Sequence, residues 1–282
     1  MTAQIIDGKA VAKAIRESIR QVMQDWPYER PPGLGVIIVG DDPASHIYVN
    51  TKKKMCARLG FHSQEITLPA DTTEKGVIVA IDALNGDPRI DGILVQLPLP
   101  RHIDTNRVLD HVISDKDVDG FHPISIGKLM QGRLSIQPCT PAGVIRLLES
   151  IDFEFEGSRA VVIGRSNIVG KPVGLLLLAR NMTVTLCHSR TRDLAGEVSR
   201  ADLVVAAAGV PQLVKGEWIK PGAVVIDVGT NRVNDLLVGD VEFDQAVKRA
   251  GFITPVPGGV GPMTIAMLMQ NSLELAQQHL SC

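Results

Sequence analysis

Cysteine, aromatic side chains and net charge are all scarce in this chain, and each scarcity removes a class of explanation. Among 282 residues there are four cysteines, Cys56, Cys139, Cys187 and Cys282, scattered and without a C-x-x-C pair. That spacing indicates neither a disulfide framework nor a zinc site, and no metal is expected. The formal net charge is −2. Near neutrality there is no electrostatic case for nucleic acid or an anionic membrane surface as a partner. The apolar run LLLLA at 175–179 is far shorter than the roughly 18–20 residues that span a bilayer. The amino-terminal MTAQIIDGKA lacks the charged start and apolar stretch of a signal peptide. These absences point to a reduced, cytoplasmic protein. What is present, 45% hydrophobic and 21% charged residues, suffices for one large or two ordinary domains with proper cores.

Strand-like apolar runs alternate with helical patterns, which predicts an α/β fold with largely parallel strands. In the first half LGVIIVG (34–40), EITL (65–68) and GILVQL (92–97) read as strands. The spacing predicts a helix from a Ser45 cap to a Gly60 stop, with others near 73–84 and 104–111. The polar, Gly- and Pro-punctuated SDKDVDGFHP that follows is a loop of the kind that carries sites. A second series begins after Thr140-Pro141, with strands RAVVIG (159–164), TVTLCH (183–188), LVVAAAG (203–209) and AVVIDVG (223–229). The expected organisation is therefore a first domain over 1–139 and a second over 140–261. A long last helix, about 262–282, packs back on the first domain.

The segment AVVIGRSNIVGKPVGLLLL is strand, glycine turn and helix. Gly164 ends the strand and Gly170 permits close helix approach, which suits a pyrophosphate at the helix N-terminus. Ser166 stands where the second glycine of G-x-G-x-x-G would be, so an ordinary tight βα turn is the competing reading. A NAD site usually has a carboxylate about 20 residues on, at the end of the second strand. Here that strand runs into Cys187-His188-Ser189-Arg190-Thr191-Arg192, hydroxyls and cations suited to a 2′-phosphate, with Arg165 as a further cation. NADP is therefore expected rather than NAD, against the alternative that these arginines only solvate a loop.

In SHIYVNTKKKM (45–55) a helical projection places Tyr48, Lys52, Met55, Cys56 and Leu59 on one face, with Lys53 and Lys54 pointing elsewhere. A lysine there either snorkels to solvent or is partly desolvated, with a lowered pKa that makes it an acid or base near neutrality. Gln96 is alone among the apolar residues of its strand, at the carboxyl end where ligands bind in α/β sheets. PVPGGVGPMT (255–264) is too rich in Gly and Pro for a regular element. It either brings bare backbone against a ligand or forms a structural interdomain loop.

YVNTKKK, DGILVQLPLP, DKDVDGFHP, CTPAG, GRSNIVGKP and PGGVGPMT occur in order and cover most of the chain. As a set they resemble the bifunctional methylenetetrahydrofolate dehydrogenase/methenyltetrahydrofolate cyclohydrolase family. The resemblance implies a homodimer of two-domain subunits, with an N-terminal catalytic domain, a C-terminal Rossmann-type NADP domain and folate in the cleft between them. It implies oxidation of methylenetetrahydrofolate and hydrolysis of the methenyl product to 10-formyltetrahydrofolate, a step of one-carbon metabolism. By motif position Lys52 is the catalytic lysine, Tyr48 packs on the pterin and Gln96 assists Lys52. Asp119 accepts from the pterin's N–H donors, although an Asx turn closing its own loop is the bland alternative. Pro257, Gly258 and Gly259 line the folate, while Gly164, Arg165, Ser166, Ser189 and Thr230 hold NADP. The family often reads DVGIN where this chain reads DVGTN, so Thr230 replaces an apolar residue near the nicotinamide. Two other readings stay open: a dehydrogenase with weak or absent cyclohydrolase activity, and a non-enzymatic NADP(H) sensor.

Overall fold

The computed structural model describes residues 2–234 and 236–281. The chain opens with β1 (Gln4–Ile5) and α1 (Gly8–Gln24), then β2 (Gly33–Val39), α2 (Pro43–Leu59), β3 (His62–Leu68) and α3 (Glu74–Gly86). There follow β4 (Gly92–Val95), α4 (Thr105–Leu109), α5 (Pro123–Met130) and α6 (Cys139–Glu149). The second series is β5 (Arg159–Ile163), α7 (Gly170–Leu178), β6 (Thr183–Cys187), α8 (Leu194–Ser199), β7 (Leu203–Ala206) and β8 (Val224–Asp227). A hairpin, β9 (Asn231–Val233) with β10 (Leu236–Val238), precedes α9 (Phe243–Ala246), β11 (Phe252–Ile253) and α10 (Val260–Leu280).

Two compact units divide these elements: residues up to Ala14 with Pro138–Met267, and Ile15–Gln137 with the residues from Leu268 on. The first holds a parallel six-stranded sheet in the order β1-β11-β8-β7-β5-β6. Its strands β7 and β8 are buried throughout, which is why LVVA and VVID read as unbroken apolar runs rather than alternating ones. The sequence order doubles back at β5, with β6 on one side and β7 on the other, so the carboxyl ends of β5 and β7 form a topological switch point. A sequence division at 139/140 does not anticipate that the first residues go with this unit. The cause is β1, which pairs with β11 in register Gln4 to Phe252; two residues are too few to announce a strand.

The second unit has a parallel sheet in the order β3-β2-β4. Its core gathers Ile37 and Val39 of β2, Val77, Ile81 and Leu84 of α3, and Ile93 and Val95 of β4. The carboxyl-terminal part of α10 packs here, as expected. Asn271 Nδ2 donates to the carbonyls of Val118 and Gln137, both at 2.9 Å, and His279 Nδ1 meets Asp91 Oδ1 at 3.1 Å. Helix α2 differs from its expected start. Asp42 is the cap, accepting from Ser45 N–H and Ser45 Oγ at 2.8 Å, and Pro43 opens the first turn. Ser45 is a buried donor inside the helix, because a carboxylate three residues earlier is the stronger acceptor for an orphan amide. Gly60 ends the helix in the left-handed region, as expected. Cys56, Cys139 and Cys187 are buried, with Cys56 pushed up to about 12 by burial; Cys282 lies outside the described residues.

Candidate active site

In the second unit the geometry converges on Lys52. Two turns into α2 its side chain is 8% exposed, while Tyr48, one turn earlier, is 49% exposed. Met55 is half-buried and Cys56 and Leu59 are buried, so the lysine stem runs along an apolar stripe. The ammonium ends on a polar acceptor: Lys52 Nζ donates to Gln96 Oε1 at 2.9 Å. Gln96 is held in turn at both ends. Its backbone N–H donates to Ile37 O at 2.8 Å, carrying the β2–β4 pairing one residue past the strand. Its side-chain Nε2 donates to Leu97 O at 2.7 Å. With the amide nitrogen committed to a carbonyl, the amide oxygen faces the lysine. Lys53 and Lys54 are exposed, and Lys53 pairs with Glu65 at 3.4 Å on the surface. A buried lysine, an oriented amide and an open aromatic face thus share the carboxyl end of the small sheet, where a flat substrate and a proton-transfer group can meet.

The DKDVDG loop divides its duties among its charged residues. Asp117 Oδ1 accepts from Phe121 N–H at 3.1 Å, and its Oδ2 accepts from His122 N–H at 2.9 Å and Ser125 Oγ at 2.7 Å. Asp117 is therefore a loop-closing carboxylate here, and Asp119 is half-buried. Lys116 closes the C-terminus of α3, donating to the carbonyls of Leu84, Asn85 and Asp87 at 3.1, 2.9 and 2.8 Å. Its burial pulls its pKa below the usual lysine value. Sequence reasoning passed over both residues.

In the first unit the β5–α7 turn is built by close approach. Gly164 has φ +131°, and a Cβ there would lie 2.1 Å from Ala207 O; one on Gly170 would lie 2.1 Å from Gly164 O. Ser166 Oγ accepts from Val169 N–H at 3.1 Å and Gly170 N–H at 3.3 Å, so the serine in the second-glycine position braces the turn. Arg165, Ser166 and Asn167 are exposed. Next to this turn, β6 runs into a tight reversal: Thr191 Oγ1 accepts from His188 N–H at 2.8 Å, and His188 Nδ1 from Arg190 N–H at 3.1 Å. Ser189, Arg190 and Arg192 project there, exposed. Because Gly164 N–H donates to Cys187 O at 2.9 Å, Arg165 and this hydroxyl- and cation-bearing turn belong to adjacent strand ends. A bare backbone cradle beside two exposed cations and a hydroxyl fits a phosphorylated dinucleotide. Thr230, exposed, follows Gly229 beyond β8. Pro257 and Gly258 lead with Gly259 into α10; Gly258 has φ +113°, and Gly259 N–H donates to Pro255 O at 2.8 Å.

Comparison with known proteins gives a consistent picture over the whole chain. The model described as "Tetrahydrofolate dehydrogenase/cyclohydrolase, catalytic domain" matches residues 6–119, and its "NAD(P)-binding domain" counterpart matches residues 138–280. The chain is 56% identical over 277 residues to the bifunctional protein FolD 2 of Geobacter sulfurreducens, spanning 98% of this chain and 97% of that one. A crystal structure of the bifunctional FolD dehydrogenase/cyclohydrolase of Campylobacter jejuni superposes with a TM-score of 0.95 at 44% identity, covering 99% of this chain and 100% of that one. The Trypanosoma brucei FolD structure, solved with NADP cofactor and inhibitor, gives 0.96 at 43% identity, with both chains fully covered.

Proposed function

The chain belongs to the tetrahydrofolate dehydrogenase/cyclohydrolase family, and from that premise we propose how its residues divide the two reactions. The protein oxidises 5,10-methylenetetrahydrofolate to the 5,10-methenyl cation with NADP⁺ and hydrolyses that cation to 10-formyltetrahydrofolate. When bound, NADP⁺ supplies the hydride acceptor. The unit formed by the residues up to Ala14 with Pro138–Met267 is its binding half. Gly164 and Ser166 shape the pyrophosphate turn, Arg165 and Ser189 take the 2′-phosphate, and Thr230 meets the nicotinamide end through its backbone. The unit of Ile15–Gln137 with the residues from Leu268 on carries most of the folate contacts. Tyr48 stacks on the pterin, Asp119 accepts from its amino and ring N–H groups, and Pro257, Gly258 and Gly259 offer bare backbone.

Hydride transfer chiefly needs alignment, so the dehydrogenase step asks these side chains for position rather than proton chemistry. The cyclohydrolase step adds water to a carbon that is already electrophilic, and it needs a positioned water and proton transfer. Lys52 moves that proton at Nζ, with Gln96 fixing its direction. The single observation supporting this is the buried Lys52 Nζ bonded at 2.9 Å to an amide oxygen whose partner nitrogen is already committed. A mere sensor has no use for an ammonium kept at 8% exposure, since burying one costs several kcal/mol. We read the protein as a cytoplasmic homodimer. The test is absorbance: methylenetetrahydrofolate with NADP⁺ yields NADPH and a transient methenyl signal that decays by hydrolysis. A dehydrogenase alone leaves the methenyl signal standing, and a sensor gives neither.

A further inference from the structure

Two buried carboxylates stand behind the ends of β7 and β8, outside every role assigned above. Asp227 closes β8 and is 4% exposed; Asp240, just past β10, is 0% exposed. Asp227 Oδ1 accepts from Gly229 N–H and Asp240 N–H, both at 2.9 Å, and its Oδ2 accepts from Val241 N–H at 2.9 Å. Asp240 Oδ2 accepts from Ala208 N–H at 2.6 Å and Gly209 N–H at 2.8 Å, and its Oδ1 from Asn231 Nδ2 at 2.8 Å. The pair thereby fixes the backbone that follows β7 and the backbone that follows β8. The fit is tight: a Cβ on Gly229 would lie 2.2 Å from Asp240 Oδ1, and one on Gly239 would lie 1.9 Å from Asp227 Oδ2. The β7 end adjoins the nucleotide turn, since Ala207 O is the atom that Gly164 approaches.

Burying two like charges together is unfavourable, and such a cluster persists where it holds a geometry that looser packing does not. Resting on the reading that NADP⁺ lies along these strand ends, we infer that Asp227 and Asp240 are positioning residues for hydride transfer, holding the 208–209 and 229–230 backbone against which the nicotinamide end packs. They act through those loops and touch no reacting atom.

The arrangement gives this half of the reaction its own response to acid. Burial, with the Asp240 charge adding to it, pushes the Asp227 carboxyl up to about 6 despite the amides it accepts from. Above that value Asp227 holds three amides through charge-assisted bonds; protonation removes the charge that makes such bonds roughly twice as strong. Asp227 lines a cavity of about 250 Å³ together with Gln212, Asp244 and Val256. Among the described residues, Asp240 and Asp244 are the carboxylates on this side. Glu242 instead accepts from Gly216 N–H, and just past β11 the neutral Thr254 Oγ1 accepts from Asp227 N–H. Because the folded value lies above the ordinary one, Asp227 adds stability as the pH falls from about 6 toward 4. An acid limb from this group is therefore not an unfolding transition.

The experiment measures NADP⁺-dependent oxidation and methenyl hydrolysis on the same preparations between about pH 5 and 8, bracketing that value. Wild-type kcat/KM for NADP⁺ should fall below a midpoint near 6, with hydrolysis not following the same limb. Asp227→Asn sets an amide nitrogen against Val241 N–H. It should raise KM for NADP⁺ on the order of tenfold and abolish the limb, while hydrolysis stays within about twofold. Asp240→Asn removes the neighbouring charge, and Asn231 can turn its amide to match, so the limb should move to lower pH. Wild-type NADP⁺ kinetics with an unmoved limb in Asp227→Asn overturn the inference. If Asp227→Asn loses both activities by misfolding, Asp240→Asn decides: a shifted limb supports the pair and an unshifted one overturns it. A wild-type protein that does not reduce NADP⁺ would instead remove the functional reading itself.

Discussion

At the scale of single residues, three lysines in a row have three different neighbourhoods, and chemistry follows the neighbourhood. Lys52→Met keeps the apolar volume beside Met55 and removes the proton-carrying atom. Methenyl hydrolysis should drop by about two orders of magnitude or more, with NADP⁺ affinity by titration unchanged. Lys53→Met, which loses only an exposed pairing with Glu65, should leave hydrolysis at its normal rate. Near-normal hydrolysis in Lys52→Met would make the lysine a packing residue. Asp119→Ala should weaken folate binding by about 1.5–3 kcal/mol, the ordinary loss for a charge-assisted acceptor; direct titration checks it, and unchanged affinity would withdraw the assignment. Ser189→Asp should weaken NADP⁺ relative to NAD⁺ by repelling the 2′-phosphate, seen as a change in the ratio of their kcat/KM values. Lys52 and Gln96 stood out in the sequence because each is a polar interruption of an apolar pattern. The work of Asp117 and Lys116 did not. Three aspartates crowd into DKDVDG, and which one turns inward depends on where the chain goes next.

At the scale of elements, the central strands β2, β4, β5, β7 and β8 were legible because buried parallel strands are continuous apolar runs, whereas β1 and β11, two residues each, were not. Helix α1 was also written plainly: Ala12, Ile15 and Ile19 are buried at helical spacing. The β9–β10 hairpin was not legible, since Leu236 is 68% exposed and its strands are three residues each, leaving no alternation to read. The start of α2 was misread by three residues, a common uncertainty at helix ends. That correction has its own test. Asp42→Ala should destabilise the folded protein by about 1 kcal/mol, the typical value of an N-cap carboxylate, measured by chemical denaturation. Ser45→Ala should give a different pattern, leaving the capping bond to Ser45 N–H in place.

At the scale of the molecule, the unit built on Ile15–Gln137 has a charged centre far along the chain from its helix ends. Asp91, 0% exposed, takes a two-pronged bond from Arg30 at 2.7 and 2.8 Å, the Gly33 N–H at 2.8 Å and the His279 ring at 3.1 Å. Burial alone would raise its carboxyl, but these donors together hold it below the usual range. A depressed carboxylate contributes stability that is complete above the unfolded value of about 3.9 and lost as the pH falls through the folded one. Acid unfolding of this unit should therefore set in only in strongly acid solution. Asp91→Asn should advance it and cost about 3 kcal/mol at neutrality, the low end for breaking a buried pair, because Arg30 stays partly exposed. Circular dichroism against pH for both proteins checks this. None of it was visible in sequence, since Arg30, Asp91 and His279 meet only when distant segments are folded together.

The two-residue strand β1 has a consequence for anyone who would recombine these proteins. The Rossmann-type sheet ends on a strand supplied from the opposite end of the chain, and both α1 and α10 change unit partway along their length. A chimera joined at residue 138 would set the graft's β11 against the host's β1, a pairing of strands from two different sequences, and a graft of 138–280 alone would leave that edge of β11 unpaired. Such edges template association. Grafts of 138–280 alone should come out of expression as aggregates, whereas grafts that carry the donor's first fourteen residues as well should stay in solution. In this chain the compact unit is not a contiguous stretch of sequence.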